Sequence, residues 1–279
     1  MEFTASKSRL ERYYRCAVTD DYGTRYSQEV HIELVRSAHL VTAEVGTRPQ
    51  AENTGRLSRD LCAGDTVTFG HYEQDNNTAN GLEPIEWLVL DVDAANNRAL
   101  LISRYGLDAQ RYNQTYTGIT WEQCSLRQWT NNDFLNAAFT ADEQSAILLT
   151  HVDNSQSQGY SGFSTDGGND TQDRIFLLSY AEASRYFGVQ HYSVSGSQNN
   201  TQARVAPTAY AIARGVYPSS SNKTAEGTAA GWWWLRSPGS YQNYAALVGY
   251  GGSLSSSYVY SGRASIRPAF WINLNSGIF

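Results

Sequence analysis

Cysteine is scarce in this chain of 279 residues, which has three: Cys16, Cys62 and Cys124. An odd number at wide spacing excludes a disulfide-dense scaffold and a four-cysteine zinc site. Long apolar runs are lacking too, with nothing near the ~20 residues that cross a bilayer. The opening MEFTASKSRLERYY has no apolar signal core, so any export signal is expected to be trimmed away or never present. Positive charge is in deficit, with 21 basic against 27 acidic side chains and a net charge of −6. That balance argues against a general nucleic-acid binder. The five histidines, at positions 31, 39, 71, 151 and 191, show no HExxH or other ligand spacing. No Gly-rich phosphate loop or nucleophile elbow occurs.

What the chain does have is aromatic and small polar residues, with 19 Tyr, 7 Trp and 23 Gly. Disordered chains are poor in aromatics, so this one is expected to fold, with many loops. Tyr14 to Thr19 and Tyr26 to Leu34 read as two strands around the turn Asp20-Asp21-Tyr22-Gly23. Residues 1–36 are therefore expected to form a β-hairpin. Tyr14-Arg15-Cys16 resembles the tyrosine corner of immunoglobulin-like domains, and the hairpin is read as the remnant of such a domain, truncated upstream, with an added ribbon as the alternative. Residues 37–60 read as a linker, and residues 61–279 as the main domain.

Within the main domain, strands are expected at 64–70, 86–92 and 98–103, the last two joined by a hairpin loop at 93–97. Helices are expected from Thr120 to Phe134, with Thr120 and Gln123 as a capping box, and from Thr140 to about Ile147. Ser179 caps a helix over Tyr180 to Phe187, and Pro207 to Arg214 is helix-like. The last third holds a Trp-rich strand at 231–239 and a closing strand at 266–274. Between them lie 24 residues, 240–263, with five Tyr, six Ser, four Gly and a single charge.

The ordered motifs GDTVTFGHY, EPIEWLVLD, LLISRYGLD, TWEQCSLRQW, GGNDTQDRIFLLS, PTAYA, WWWLRSPGS and RPAFWINL are similar to a family of bacterial domains of unknown function common in gut Firmicutes. That family resembles the C-type-lectin-like fold of formylglycine-generating enzymes and of variable proteins diversified by retroelements. The resemblance implies an α+β, loop-rich fold: short helices around small twisted antiparallel sheets, with the N- and C-terminal strands paired. An immunoglobulin-like repeat preceding such a domain fits a secreted or cell-surface setting.

Residues 240–265 are the candidate variable region. Tyr gives a large amphipathic contact at low rotamer cost, while Ser, Gly and Asn hydrogen-bond adaptably, as in antibody-type binding loops. In retroelement-variable proteins, randomised adenines of AAC or AAT codons yield a restricted residue set. Tyr241, Asn243, Tyr244, Leu247, Gly249, Tyr250, Gly251, Ser253, Ser255, Ser256, Ser257, Tyr258, Tyr260, Ser261, Gly262 and Arg263 are reachable that way, and Gln242 is not. A Gly/Ser-rich meander with exposed Tyr is the alternative.

Other motifs have plainer readings. Trp232, Trp233, Trp234 and Trp271 read as scaffold with satisfied N–H groups, or else as a sugar-stacking platform. Arg236 and Arg267 are expected to meet acids or loop carbonyls. Asp166 to Asp173 is an oxygen-rich loop without the EF-hand pattern, and is read as Asx-turn loop rather than a calcium site. Glu83-Pro84-Ile85 lacks the Asn of calcium-dependent lectins. Cys124 reads as a buried small hydrophobe, and Glu83, Glu86, Asp91 and Asp93 as a solvated edge.

The expectation is a non-catalytic ligand-binding protein, receptor- or adhesin-like, with no metal and no cofactor. Its partner is expected to be a macromolecule, a protein in preference to a nucleic acid, with no direct membrane insertion and a plausible monomer. A carbohydrate-binding module and an enzyme of the formylglycine-generating kind are the alternatives.

Overall fold

The computed structural model describes residues 61–278 and, before them, only the backbone of five short strands. The chain divides into two units, residues 1–55 and 56–279. In the first, β1 (Arg12–Tyr14) pairs antiparallel with β4 (Val30–Glu33), which also pairs with β5 (Glu44–Val45). Strands β2 (Ala17–Asp20) and β3 (Gly23–Tyr26) form a tight hairpin in the register Asp20↔Gly23. Strands β2 and β3 flank the expected turn position, whose middle residues lie outside the described ones, two pairings replace the single long hairpin, and β5 falls inside the expected linker. The side chains of this unit lie outside the described residues.

The second unit mixes helices and sheets, as expected for a loop-rich α+β fold. Strands β6 (Thr66–Tyr72), β7 (Glu83–Asp93) and β8 (Arg98–Ser103) form a meander. Asp93 and the left-handed Asn97 close the β7–β8 loop around one 3-10 turn. The chain's last strand, β18 (Ala269–Asn273), completes this sheet in the order β18-β8-β7-β6. It therefore pairs with β8, not with the first strand of the unit as the family resemblance implied. Strand β8 is buried along nearly its whole length, so its apolar run RALLIS shows no alternation. Leu100 and Ile102 enter one core, while Ala99 and Leu101 enter the other.

The second sheet has the order β16-β15-β14-β17-β9. Its members are β9 (Asp108–Ala109), β14 (Trp232–Pro238), β15 (Tyr244–Val248), β16 (Leu254–Tyr258) and β17 (Ala264–Ile266). The expected closing strand 266–274 is broken at Arg267-Pro268, which passes the chain from β17 in one sheet to β18 in the other. Trp233 and Trp234 are fully buried, their indole N–H groups donating to the carbonyls of Ala203 and Gln110. On the other side, Trp87 packs edge-on against Phe270 and donates to the Phe69 carbonyl. Two small ladders, β10 (Thr150–Val152) with β11 (Thr171–Asp173) and β12 (Ser219–Lys223) with β13 (Ala229–Ala230), trim the surface.

Helices α1 (Ser125–Trp129) and α2 (Leu135–Ala138) are joined by a π turn at Thr130–Phe134. The expected Thr120 cap is absent: residues Trp121–Gln123 form a 3-10 turn, and the Cys124 sulfur caps α1 by accepting from the Arg127 N–H. The capping boxes at Thr140/Glu143 on α3 (Ala141–Ala146) and Ser179/Glu182 on α4 (Tyr180–Phe187) are both present. Thr208 caps α5 (Ala209–Ala213).

Candidate ligand-binding surface

Strand β15 lies between β14 and β16, and its residues Ala245, Ala246, Leu247 and Val248 are all buried. The segment 240–263 is thus half scaffold. The Ala-Ala-Leu-Val run hides this because a strand buried on both faces does not alternate. What the sheet exposes is concentrated where β15 begins and β16 ends.

Tyr244 and Tyr258 are paired directly across the two strands, with ring centroids 4.5 Å apart. Tyr241 sits in the preceding turn, which the Tyr244 N–H closes by donating to the Tyr241 carbonyl; its ring meets Tyr244 at 5.3 Å. Tyr260 follows β16 and lies 5.8 Å from Tyr258. A fifth ring, Tyr116, comes from a distant loop and packs edge-on against both Tyr258 and Tyr260, at 5.4 and 5.1 Å. Two backbone bonds hold that loop in place, Asn113 N–H to the Val259 carbonyl and Ile119 N–H to the Gln242 carbonyl. Tyr116 was not among the expected site residues, although its surroundings, Tyr112-Asn113-Gln114-Thr115-Tyr116-Thr117-Gly118, have the same Tyr/Asn/Thr/Gly composition.

Four of the five rings are well exposed: Tyr116 at 55%, Tyr241 at 65%, Tyr258 and Tyr260 at 42%. Tyr244 is half-buried at their centre. The Tyr258 hydroxyl beside it pushes its phenol up to about 12, so it stays protonated at neutral pH. The patch therefore offers ring faces, ring edges and phenolic O–H groups but no formal charge. It is suited to burial against a partner, with each hydroxyl keeping a hydrogen bond.

The other expected site residues divide by position. Asn243, Gly249, Ser255, Ser256, Ser257, Ser261 and Gly262 are half-exposed, and Arg263 is exposed. Leu247, 1% exposed, and Ser253, 5% exposed, are corrected to scaffold, since a buried side chain cannot reach a ligand. Gly251 is scaffold as well: a Cβ there would lie 2.5 Å from the Gln198 carbonyl oxygen. Its neighbour Gly252 adopts φ +85° against Asn200, a conformation and a fit open only to glycine. Tyr250 stands apart at the far end of β15, packed on Trp232 at 5.1 Å. Gln242, the position outside the adenine code, clamps the turn from beneath: its side chain bonds the N–H and carbonyl of Asp166.

The remaining motifs take structural partners. The guanidinium of Arg236 is buried, bonded to Glu182 and to the carbonyls of Leu177 and Asp153. Arg267, also buried, donates to the Ser103 carbonyl and lies between the rings of Phe187 and Trp233 at 4.7 and 5.1 Å. Burial pushes that guanidinium down to about 9. The 166–173 loop has its acids engaged: Asp166 accepts from Gly168 N–H, Asp170 from Asn154 N–H, and the buried Asp173 from Trp121 and Arg127. Trp271 is covered by the Arg98 guanidinium at 4.4 Å. Burial pushes the Cys124 thiol up to about 12. The supposed solvated edge is largely paired, with Glu86 on Arg104, Asp91 on Arg185 and Asp93 on Arg98.

The fold and its surface define a mixed α+β domain with a tyrosine patch at one end of a five-stranded sheet. A family model described as a domain of unknown function (DUF6273) matches residues 96–274, and the chain belongs to that family. The match begins in the β7–β8 loop, so the folded unit extends two strands before it. No curated protein and no solved structure matches the chain.

Proposed function

We propose that this protein is a non-catalytic binder of a macromolecular partner, a protein in the first instance, gripped by the patch of Tyr116, Tyr241, Tyr244, Tyr258 and Tyr260. The observation that carries the reading is the contiguity of five rings drawn from three separate stretches of chain, four of them exposed. Exposed apolar or aromatic patches on a stable frame mark interaction sites. Tyrosine is enriched among the few residues that dominate binding energy.

The chemistry of the patch supports binding over turnover. A phenol that stays protonated at neutral pH, as Tyr244 does, is a poor base and a poor nucleophile there. The Cys124 thiol, sealed in the core, is equally unsuited to cysteine-dependent oxidation. A groove of about 400 Å³ near α1 is lined mainly by Gln110, Arg111, Gln114, Gln128, Asn132 and Asp133, with no thiol or imidazole in its wall. Sugar stacking is disfavoured by ring orientation. The patch rings meet at interplanar angles of 41° to 71° and form no flat platform.

Retroelement diversification in a C-type-lectin-like scaffold, on a secreted or surface-attached protein, is the genetic half of the proposal. Its signature is a near-identical template repeat differing at adenines beside a reverse transcriptase gene. Under this reading the varied positions are the exposed ones, and Leu247, Gly251 and Ser253 drop out of the set.

A photo-crosslinking amino acid at position 258 is expected to capture the partner in the native setting. The same group at His71, exposed on β6 of the other sheet, is expected to capture nothing. Equal capture at both positions, or capture at 71 alone, contradicts the assignment.

A further inference from the structure

The loop joining β6 to β7 gathers three acids with no base to balance them. Glu73 is 5% exposed. Its Oε1 accepts from the Asn77 N–H at 3.0 Å, while its Oε2 is sealed from solvent without a hydrogen-bond partner. Asp75 and Glu83 each bring a carboxylate oxygen to within 4.8 Å of the Glu73 carboxylate and of each other. Among the described residues, none of the three forms an ion pair. Three like charges in so small a volume repel, and an unpaired buried carboxylate oxygen is costly. A shared proton or a bound cation relieves such an arrangement.

We propose that Glu73, Asp75 and Glu83 form a binding site for a divalent cation of the calcium type. The donors are all oxygens, with no thiol or imidazole, which selects a hard cation over zinc, copper or iron. Asn77 continues the alternation of residues 73, 75 and 77, and its backbone N–H donates to both Glu73 and Asp75. Alternating oxygen donors on a tight loop, closed by a later Glu, are how chains wrap calcium. The carboxylates are held in place before any ion arrives. Glu83 Oε2 accepts from the N–H groups of Gln74 and Asp75, at 2.6 and 3.3 Å, and Asp75 Oδ1 accepts from Asn77 at 2.7 Å. An irregular loop of this kind suits calcium, which tolerates six to eight ligands in flexible geometry, better than magnesium, which demands a near-ideal octahedron. Glu83 thus leaves the solvated edge where the sequence alone placed it, and the expectation of a chain without metal is replaced for this loop.

The site's role follows from what the loop touches. The Gln74 carbonyl accepts from the Tyr210 N–H at 3.0 Å, so an ion that stiffens residues 73–83 also steadies α5. Stripped of metal with a chelator, the full chain should unfold at a lower temperature than with calcium, and calorimetry should show one saturable site per chain. Asp75→Asn, at an exposed position, removes one of the repelling charges, so it should leave the metal-free melting temperature no lower than the parent's and weaken calcium at least tenfold. Glu73→Gln should abolish the calcium response. Magnesium at equal concentration should raise the melting temperature less than calcium does. The proposal is overturned if calcium gives neither heat nor stabilisation up to about 10 mM, above the weakest extracellular calcium modules. It is overturned equally if Asp75→Asn binds as tightly as the parent, an outcome readable even if Glu73→Gln fails to fold. A magnesium response equal to that of calcium overturns the choice of ion.

Discussion

Glu182 does two jobs with one carboxylate. Its Oε2 accepts from the Ser179 N–H, closing the capping box of α4, and the same group receives the guanidinium of Arg236. Arg236 is nearly sealed from solvent, whereas Glu182 keeps some exposure. Removing the acid therefore strips a cap, worth roughly 0.5–2 kcal/mol, and also leaves a buried cation short of its counter-ion. Breaking a buried pair from one side costs about 3–5 kcal/mol, here reduced because Glu182 is partly solvated. Glu182→Ala is expected to lower stability by about 3 kcal/mol in urea unfolding at neutral pH, and Glu182→Gln, which retains a capping oxygen, by about half as much. A loss under about 0.5 kcal/mol for Glu182→Ala, the range of ordinary surface changes, would show that the carbonyls of Leu177 and Asp153 suffice for Arg236.

At the scale of elements, the turn between β15 and β16 separates scaffold from display. Gly249 has open space around its would-be Cβ, with only the Ser253 carbonyl at 3.7 Å. Gly251 abuts the backbone of Gln198. Gly249→Ala is therefore expected to be nearly neutral, and Gly251→Ala to cost about 1–3 kcal/mol through overpacking. Thermal melts of the two variants read the difference, and equal stability would return Gly251 to the display set. Much of the element pattern was legible beforehand. Strand β7 follows from Ile85, Trp87, Val89 and Val92, β8 from the apolar run that resumes after the 93–97 loop, and the caps at Thr140 and Ser179 from a hydroxyl placed just before each helix.

The failures have physical causes. Thr120 and Gln123 have the spacing of a box, but the chain tightens into a 3-10 turn there and the cap passes to Cys124, a residue of weak hydrogen-bonding character. Strand β15 is not legible in the sequence because a centrally placed strand needs no alternation, and Ala245-Ala246 gives little signal of burial. Tyr241, Tyr258 and Tyr260 could be found from composition. Tyr116 could not be tied to them, since its place depends on backbone bonds spanning well over a hundred residues of chain. The Glu73 cluster was hidden for a related reason: only the folding back of β7 on β6 brings Glu83 to Asp75 and Glu73.

At the scale of the whole second unit, two main cores share β8 and leave the tyrosine patch at the margin of one sheet, where its rings contribute little to either core. Neither main cluster of buried residues includes Tyr116, Tyr241, Tyr258 or Tyr260. Stability and recognition are in this way assigned to different side chains, so the surface can change while the frame persists. Such a division predicts that losses at the patch appear in affinity and not in folding.

The most direct measurement is a paired one on a single variant, with Tyr116, Tyr241, Tyr258 and Tyr260 all changed to Ser. Each exposed change should cost within about 0.5 kcal/mol, so the melting temperature should fall by only a few degrees. Affinity for the captured partner should fall at least a hundredfold, as expected when aromatic anchors worth about 2 kcal/mol or more are lost. A variant that unfolds, or one that stays folded and binds as the parent does, would contradict the account.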